Sequence, residues 1–120
     1  MEFWARENHD RPILYITAPK DKRSQPPVSK HKTEKERWMD TEFVLKRENW
    51  RMQNTVYLGE AFPALNPDFG PDFFASCYGT ELEFGETTSW AKPWITDEIL
   101  ETNPEFLWDE ENEYYKKYWN

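Results

Sequence analysis

The hydrophobic pattern of the chain opens on a short continuous run, Ile13-Leu14-Tyr15-Ile16-Thr17-Ala18, with a proline on either side. A strand with one exposed face alternates between apolar and polar residues, whereas a strand covered on both faces is apolar throughout. The run therefore predicts a strand over residues 13–18 that is buried on both faces, as is usual in parallel sheets.

A helix is predicted from Asp40 or Thr41, either of which can cap its first turn, to about Val56. At 100° per residue its apolar side chains form two stripes on opposite sides, one of Phe43, Trp50 and Tyr57 and the other of Leu45, Met52 and Val56. A helix on the surface of a small domain needs only one such stripe. We therefore expect this helix to pack between two layers, one of which lies outside this chain.

The segment before this helix, residues 20–37, is polar and contains seven basic and three acidic side chains. Pro26-Pro27 interrupts regular structure in its middle. The pattern predicts an exposed polar loop over residues 20–37.

Shorter elements are predicted in the second half. A short helix over residues 72–78 should end at Gly79, and Thr96 should cap another that runs to Leu100. Residues 80–85 alternate, which predicts a strand with Leu82 inside and its two glutamates in solvent. A second extended piece follows over residues 90–96, and aromatic residues at helical spacing predict a helix in the tail.

Charge narrows the choice of partners. The chain has 23 acidic and 15 basic residues, a net charge of -8 and a pI near 4.8. This balance argues against a general nucleic-acid binder or a binder of anionic membranes, because phosphate neutralisation needs a basic surface. Residues 1–51 carry a net charge of +3 and residues 52–120 one of -11. The two halves are therefore able to attract each other, and the alternative is that the acidic half faces a basic partner surface.

The number of cysteines and the lengths of the apolar runs indicate the cellular compartment. The one cysteine, Cys77, cannot form an internal disulfide, which fits a reducing compartment. No run approaches the roughly 20 apolar residues of a membrane span. We expect a cytoplasmic protein.

Three features of the sequence suggest chemistry. Glu81 and Glu83 are compatible with a small hydrolase, provided that one of them is buried; the alternative is the solvent face of a strand. The aromatic residues Trp90, Trp94 and Trp108 offer either a platform for a flat ligand or core packing. Residues 57–71, rich in Gly and Pro, form the most suitable ligand loop.

Several short motifs together resemble the start of the uroporphyrinogen decarboxylase-like family. They are Phe3-Trp4, Asp10-Arg11-Pro12-Ile13, Arg37-Trp38-Met39-Asp40, Tyr57-Leu58-Gly59-Glu60-Ala61-Phe62-Pro63, Phe69-Gly70-Pro71, Tyr78-Gly79 and Thr88-Ser89-Trp90 with Pro93. The family includes the decarboxylase and corrinoid-linked methyltransferases. The resemblance covers nearly all of the chain.

The resemblance implies an α/β fold, the N-terminal part of a (β/α)8 TIM barrel, which in isolation would be a small α+β unit. Residues 1–120 would then be a single incomplete domain, not catalytically complete alone. The 57–71 loop would lie toward the barrel mouth, with Asn66 and Asp68 binding substrate and Phe62 and Trp90 as walls.

The parent activity implied is corrinoid-linked methyl transfer or decarboxylation of a tetrapyrrole. The decarboxylase's N-terminal arginine motif is not recognisable, which favours methyl transfer. No cofactor is expected in this chain, and zinc or a corrinoid would belong to a full-length parent. Its partners would be the remainder of the barrel or a second copy of the chain, and a corrinoid protein. The alternative is a non-enzymatic, acidic and aromatic-rich protein-interaction module.

Overall fold

The computed structural model describes residues 2–7, 11–66, 69–102 and 105–119. Within them the chain forms six helices and four strands, and the strands make two separate two-stranded antiparallel sheets rather than a closed barrel. The architecture is therefore a small α+β one.

The elements are short. In chain order they are α1 (Glu2–Ala5), β1 (Tyr15–Pro19), α2 (Glu34–Met39), α3 (Thr41–Gln53), β2 (Thr55–Gly59), α4 (Phe73–Ser76), β3 (Leu82–Phe84), β4 (Ser89–Ala91), α5 (Asp97–Glu101) and α6 (Glu113–Trp119). Among the described helices the longest has 13 residues, and none has the length and apolar character needed to cross a bilayer.

The chain divides into two compact units, one made of residues 1–28 and 45–65 and the other of residues 29–44 and 66–120. In the first unit, β1 pairs with β2 in an antiparallel register that sets Tyr15 opposite Gly59 and Pro19 opposite Thr55. The expectation of a buried strand in a parallel sheet is wrong, since Tyr15 is 63% exposed. A continuous apolar run indicates a strand but does not specify the direction of its partner or the presence of a covering layer.

The β1–β2 pair ends where Gly59 adopts a φ of +66°. A side chain at this position would place its Cβ 2.3 Å from the carbonyl oxygen of Leu14. Both the close approach and the left-handed backbone therefore require glycine.

Helix α3 starts where the sequence predicts, because Asp40 Oδ1 accepts a hydrogen bond from the backbone N–H of Phe43 at 3.0 Å. It ends at Gln53 rather than near Val56, since residues 55–59 pair with β1 instead. No residue of α3 is buried, although its sequence carries two apolar stripes. The expected outer layer for the helix stays a prediction.

The second unit contains the core, which is centred on Phe69, Leu82 and Tyr114. Strands β3 and β4 pair antiparallel, with Leu82 opposite Ala91. Leu82 is buried and Glu83 is exposed, so the predicted alternation is confirmed.

Two of the predicted helix boundaries in this unit are confirmed. After α4, Gly79 has a φ of +89°, its N–H donates to Ser76 O, and the N–H of Thr80 donates to Ala75 O. These are the paired hydrogen bonds of a Schellman motif. Thr96 caps α5 through its hydroxyl, which accepts a hydrogen bond from the N–H of Ile99 at 3.4 Å.

The polar segment is shorter than predicted. Residues 20–33 form no helix or strand, but α2 begins at Glu34, where the hydroxyl of Thr33 accepts from the N–H of Glu36. Arg37 is buried, because its guanidinium donates to the carbonyl of Glu86 at 2.6 Å. The composition of a basic segment does not predict that one of its side chains, here Arg37, is buried.

Candidate functional site

The second unit contains an open cleft of about 310 Å³. Its lining is almost entirely apolar and is formed by Ala75, Tyr78, Thr80, Trp94, Ile95 and Phe106. This volume lies at the lower end of the roughly 300–1,000 Å³ that is typical of ligand pockets. The cleft can therefore take a side chain or a small ligand.

Local backbone features position the walls. Ala75 belongs to α4, and the turn at Gly79 brings Thr80 back beside that helix. The indole N–H of Trp94 donates to the hydroxyl of Thr80 at 2.8 Å, and its ring meets Phe106 edge-on with centroids 6.0 Å apart. The one polar group of the indole is thus satisfied, which leaves its faces for apolar contact.

The base of α4 is tied to the segment that follows Phe106. Ser76 and Cys77 are fully buried; the carbonyl of Cys77 accepts from the N–H of Asp109 at 2.8 Å, and that of Ser76 accepts from the Asn112 side chain at 3.0 Å. Burial raises the pKa of the Cys77 thiol. Cys77 is therefore a buried structural thiol, because a nucleophilic cysteine requires a lowered pKa and access.

Aromatic rings extend the apolar surface beyond the cleft. Trp108 meets both Tyr78 and Tyr115 edge-on, with centroids 5.3 and 5.6 Å apart, and lies 6.3 Å from Phe74. Phe74 is 70% exposed. Contiguous exposed apolar surface of this kind is uncommon on monomers and marks interaction sites.

The sequence that contains Trp94, Ile95 and Phe106 of the cleft is strongly acidic. Between Lys92 and Lys116 the chain has eight acidic residues and no lysine or arginine. Those on α5 and those at 105 and 109–111 are all exposed. Trp94, Ile95 and Phe106 of the cleft thus belong to a segment whose acidic side chains are in solvent, and acidic segments attract cationic ligands.

Three of the predicted substrate-binding residues, Phe62, Asn66 and Trp90, are not among those that line the cleft. Phe62, in the first unit, is 62% exposed, and Trp90, on β4 in the second, is 59% exposed. Asn66 is exposed and belongs to the second unit. Asp68 lies outside the described residues. These assignments therefore stay predictions.

Of the three tryptophans proposed as a ligand platform, Trp94 alone lines the cleft. Sequence reasoning missed Phe106, which lies in an irregular segment without hydrophobic periodicity. The absence of basic residues between Lys92 and Lys116 is the one sequence signal that points to this region.

The glutamate pair does not form an acid–base site. Glu81 and Glu83 are both exposed, and Glu81 forms an ion pair with Lys92 at 3.1 Å. The hydrolase hypothesis required one of them to be buried, so it is wrong for this pair.

A Ser–His–Asp chain of hydrogen bonds precedes α3. Ser29 Oγ and Asp40 Oδ2 each lie 2.9 Å from a different ring nitrogen of His31. Ser29 Oγ also accepts from the backbone N–H of His31 at 3.2 Å, as in a serine turn. The hydrogen bond from the N–H of Phe43, followed by that from His31, lowers the pKa of Asp40. The trio therefore ties the polar segment to the first turn of α3, and none of its three residues lines the cleft.

In the described part of the chain, no three His, Cys, Asp or Glu residues cluster in a way that could hold a metal ion.

Comparison with protein families, with curated proteins and with solved structures found no match for this chain.

Proposed function

We propose that this chain is a protein-interaction module whose second unit binds a basic segment of another protein. One observation carries the proposal, namely the 310 Å³ apolar cleft, which lies in the most acidic part of the sequence. Specific interfaces combine a central apolar anchor with a polar rim that gives orientation and speed of encounter. The cleft supplies the pocket and the surrounding glutamates and aspartates supply the rim.

The chemistry of the cleft defines the partner. A bulky apolar side chain enters the cleft and packs against Trp94 and Phe106, and Lys or Arg residues on either side of it meet the acidic residues. An amphipathic helix or an extended peptide with one aromatic anchor and several positive charges satisfies both requirements. The binding contacts are non-covalent, so this function needs no catalytic residue.

The test uses the whole chain and a synthetic amphipathic peptide with one tryptophan, flanking leucines and lysines, titrated by calorimetry. A second peptide keeps the lysines and replaces the apolar residues by glutamine. We expect the first peptide to bind at least tenfold more tightly than the second, because burial of an aromatic side chain contributes about 1–3 kcal/mol.

Variants of the chain locate the site. Trp94→Ala should weaken binding of the apolar peptide about tenfold or more, and Ile95→Ala is the milder change at the same wall. Trp4→Ala replaces a tryptophan that is 84% exposed and lies in the other unit, and should leave the affinity unchanged. Equal affinity of wild type and both cleft variants would rule the cleft out as the binding site.

A second candidate function, suggested by the resemblance in sequence, is that of an N-terminal segment of a uroporphyrinogen decarboxylase-like protein. The observation that favours it is the lack of a core in the first unit, where the one buried side chain among the described residues is that of Asn54. Apolar side chains there would be covered by the rest of a (β/α)8 barrel. The parent would carry out corrinoid-linked methyl transfer or tetrapyrrole decarboxylation, with Asn66, Asp68, Phe62 and Trp90 near the substrate.

Co-expression tests this second candidate. The chain is produced together with a family barrel that lacks the equivalent N-terminal segment. The candidate predicts co-purification of the two and a gain in solubility of the barrel, whereas independent behaviour of the two chains would contradict it. In an active reassembled barrel, Asp68→Ala should reduce ligand affinity or turnover.

A further inference from the structure

Strand β1 has one paired edge and one open edge. The N–H of Glu60 donates to the carbonyl of Leu14, and the N–H of Lys20 donates to that of Asn54, both at 2.9 Å. In an antiparallel ladder, hydrogen-bonding groups alternate in direction along each strand. Even-numbered residues of β1 therefore face β2, and the N–H and C=O groups of Tyr15 and Thr17 point away from it.

Nothing in the described part of the chain bonds these outward groups, and both residues are exposed. The faces of the sheet are also open. Leu14, Ile16 and Leu58 are 46%, 45% and 51% exposed on the face that they share. A two-stranded sheet is marginal in water, and independent stability requires a third strand or a covering layer.

We propose that β1 pairs through this open edge with β1 of a second copy of the chain, in antiparallel orientation and with Ile16 opposite Ile16 on the two-fold axis. In this register Tyr15 of each copy lies opposite Thr17 of the other, and each such pair exchanges two hydrogen bonds. The alternative register, centred on Thr17, sets Tyr15 opposite Pro19, which has no N–H to donate. The two sheets become one of four strands.

Side chains in this register are self-complementary. The two Ile16 side chains meet across the axis, Leu14 meets Ala18 of the second copy, and no charged residues stand opposite each other. Cross-strand pairs of β-branched and aliphatic residues stabilise a sheet by roughly 0.2–1 kcal/mol each. The outer edge of β2 is less suitable, because Gly59 at a φ of +66° departs from the extended conformation. This inference uses the first unit and is independent of the cleft.

Sedimentation velocity of the whole chain over a range of concentrations provides the first measurement. We expect a reversible monomer–dimer equilibrium, and amide exchange at Tyr15 and Thr17 that slows as the concentration rises. Thr17→Pro removes one outward N–H but none of the hydrogen bonds to β2, so it should abolish the dimer. Thr17→Val retains the N–H and should retain the dimer.

Charge exchange at residue 16 tests the register and does not depend on the proline variant. Ile16→Lys and Ile16→Glu each place like charges together on the axis, so each should be monomeric, with self-affinity at least tenfold weaker. Mixed in equal amounts, they should form a heterodimer, because opposite charges then meet.

Three results would overturn the proposal. They are a monomer at every concentration, failure of the charge-exchanged pair to associate while each variant remains folded, and slow exchange at Thr17 in the dilute monomer. The last would show that the edge is covered within a single chain.

Discussion

At the scale of single residues, Glu60 has a strongly lowered pKa because of its hydrogen bonds. It accepts hydrogen bonds from the guanidinium of Arg11 and, at 2.9 Å, from the backbone N–H of Leu14. These two contacts, that with Arg11 first, lower the pKa of Glu60 to about 2. Glu60 thus holds the residues before β1 against the end of β2.

This lowered pKa predicts a specific loss of stability in acid. A carboxylate with a lowered pKa in the folded state stabilises that state above its unfolded pKa, and the contribution disappears as pH falls through the folded value. The difference in unfolding free energy between wild type and Glu60→Gln should be constant near neutral pH, shrink below about pH 4.5 and vanish near pH 2. Urea unfolding at several pH values measures it, and a difference that does not change with pH would contradict the ionic role of Glu60.

Tyr57 presents the opposite situation, a polar atom without a partner. Its hydroxyl is buried, and none of the described residues forms a hydrogen bond with it. A buried polar group that lacks a hydrogen bond costs about 1–3 kcal/mol. Tyr57→Phe should therefore raise the free energy of unfolding by about 1 kcal/mol in urea titrations, whereas Tyr15→Phe, at an exposed position, should have no effect. Destabilisation by Tyr57→Phe would show that the hydroxyl is bonded.

At the scale of elements, α2 is attached to the turn between β3 and β4 by two neighbouring side chains. Arg37 donates to the carbonyls of Gly85 and Glu86, and the indole N–H of Trp38 donates to Gly85 O at 2.9 Å. These bonds attach α2 to a hairpin whose Leu82 is also packed in the core.

Arg37→Met tests this attachment. It keeps the apolar volume of the side chain but leaves the Glu86 carbonyl without its donor and the Gly85 carbonyl with Trp38 alone, and we expect a loss of about 2–3 kcal/mol in unfolding free energy. Arg47→Met is the matched control, because Arg47 forms an ion pair with Glu48 at 3.5 Å on the surface of α3 and should change stability by less than about 1 kcal/mol. Equal effects of the two variants in thermal or urea unfolding would contradict a special role for Arg37.

Some features of these elements can be predicted from the sequence, and others cannot. Caps and breakers act locally, so Asp40, Thr96 and Gly79 mark the boundaries that the structure has. Alternation around Leu82 likewise identifies a strand with one buried face. The partner of β1 is decided by contacts between distant residues, and an apolar run carries no information about them. The cleft also cannot be predicted from the sequence, because Trp94 and Phe106 lie in irregular segments and come into contact only in the folded chain.

At the scale of the whole molecule, burial is unevenly distributed. The buried apolar side chains of the described residues are Phe69, Cys77, Leu82 and Tyr114, all in the second unit. Small domains bury a modest share of their surface, and this one also leaves aromatic and aliphatic side chains in solvent. This exposed apolar surface, in a half of the chain with a net charge of -11, is the basis on which we propose association with a cationic partner.

The most direct test is a hydrogen-exchange footprint of the tryptophan–lysine peptide on the whole chain, collected at low and high salt. Binding in the cleft predicts slower exchange over residues 74–80 and 94–102 and no change over α3, with a weaker footprint at high salt because the charges are screened. A footprint that falls on α3, or one that is the same for the glutamine peptide, would contradict the account.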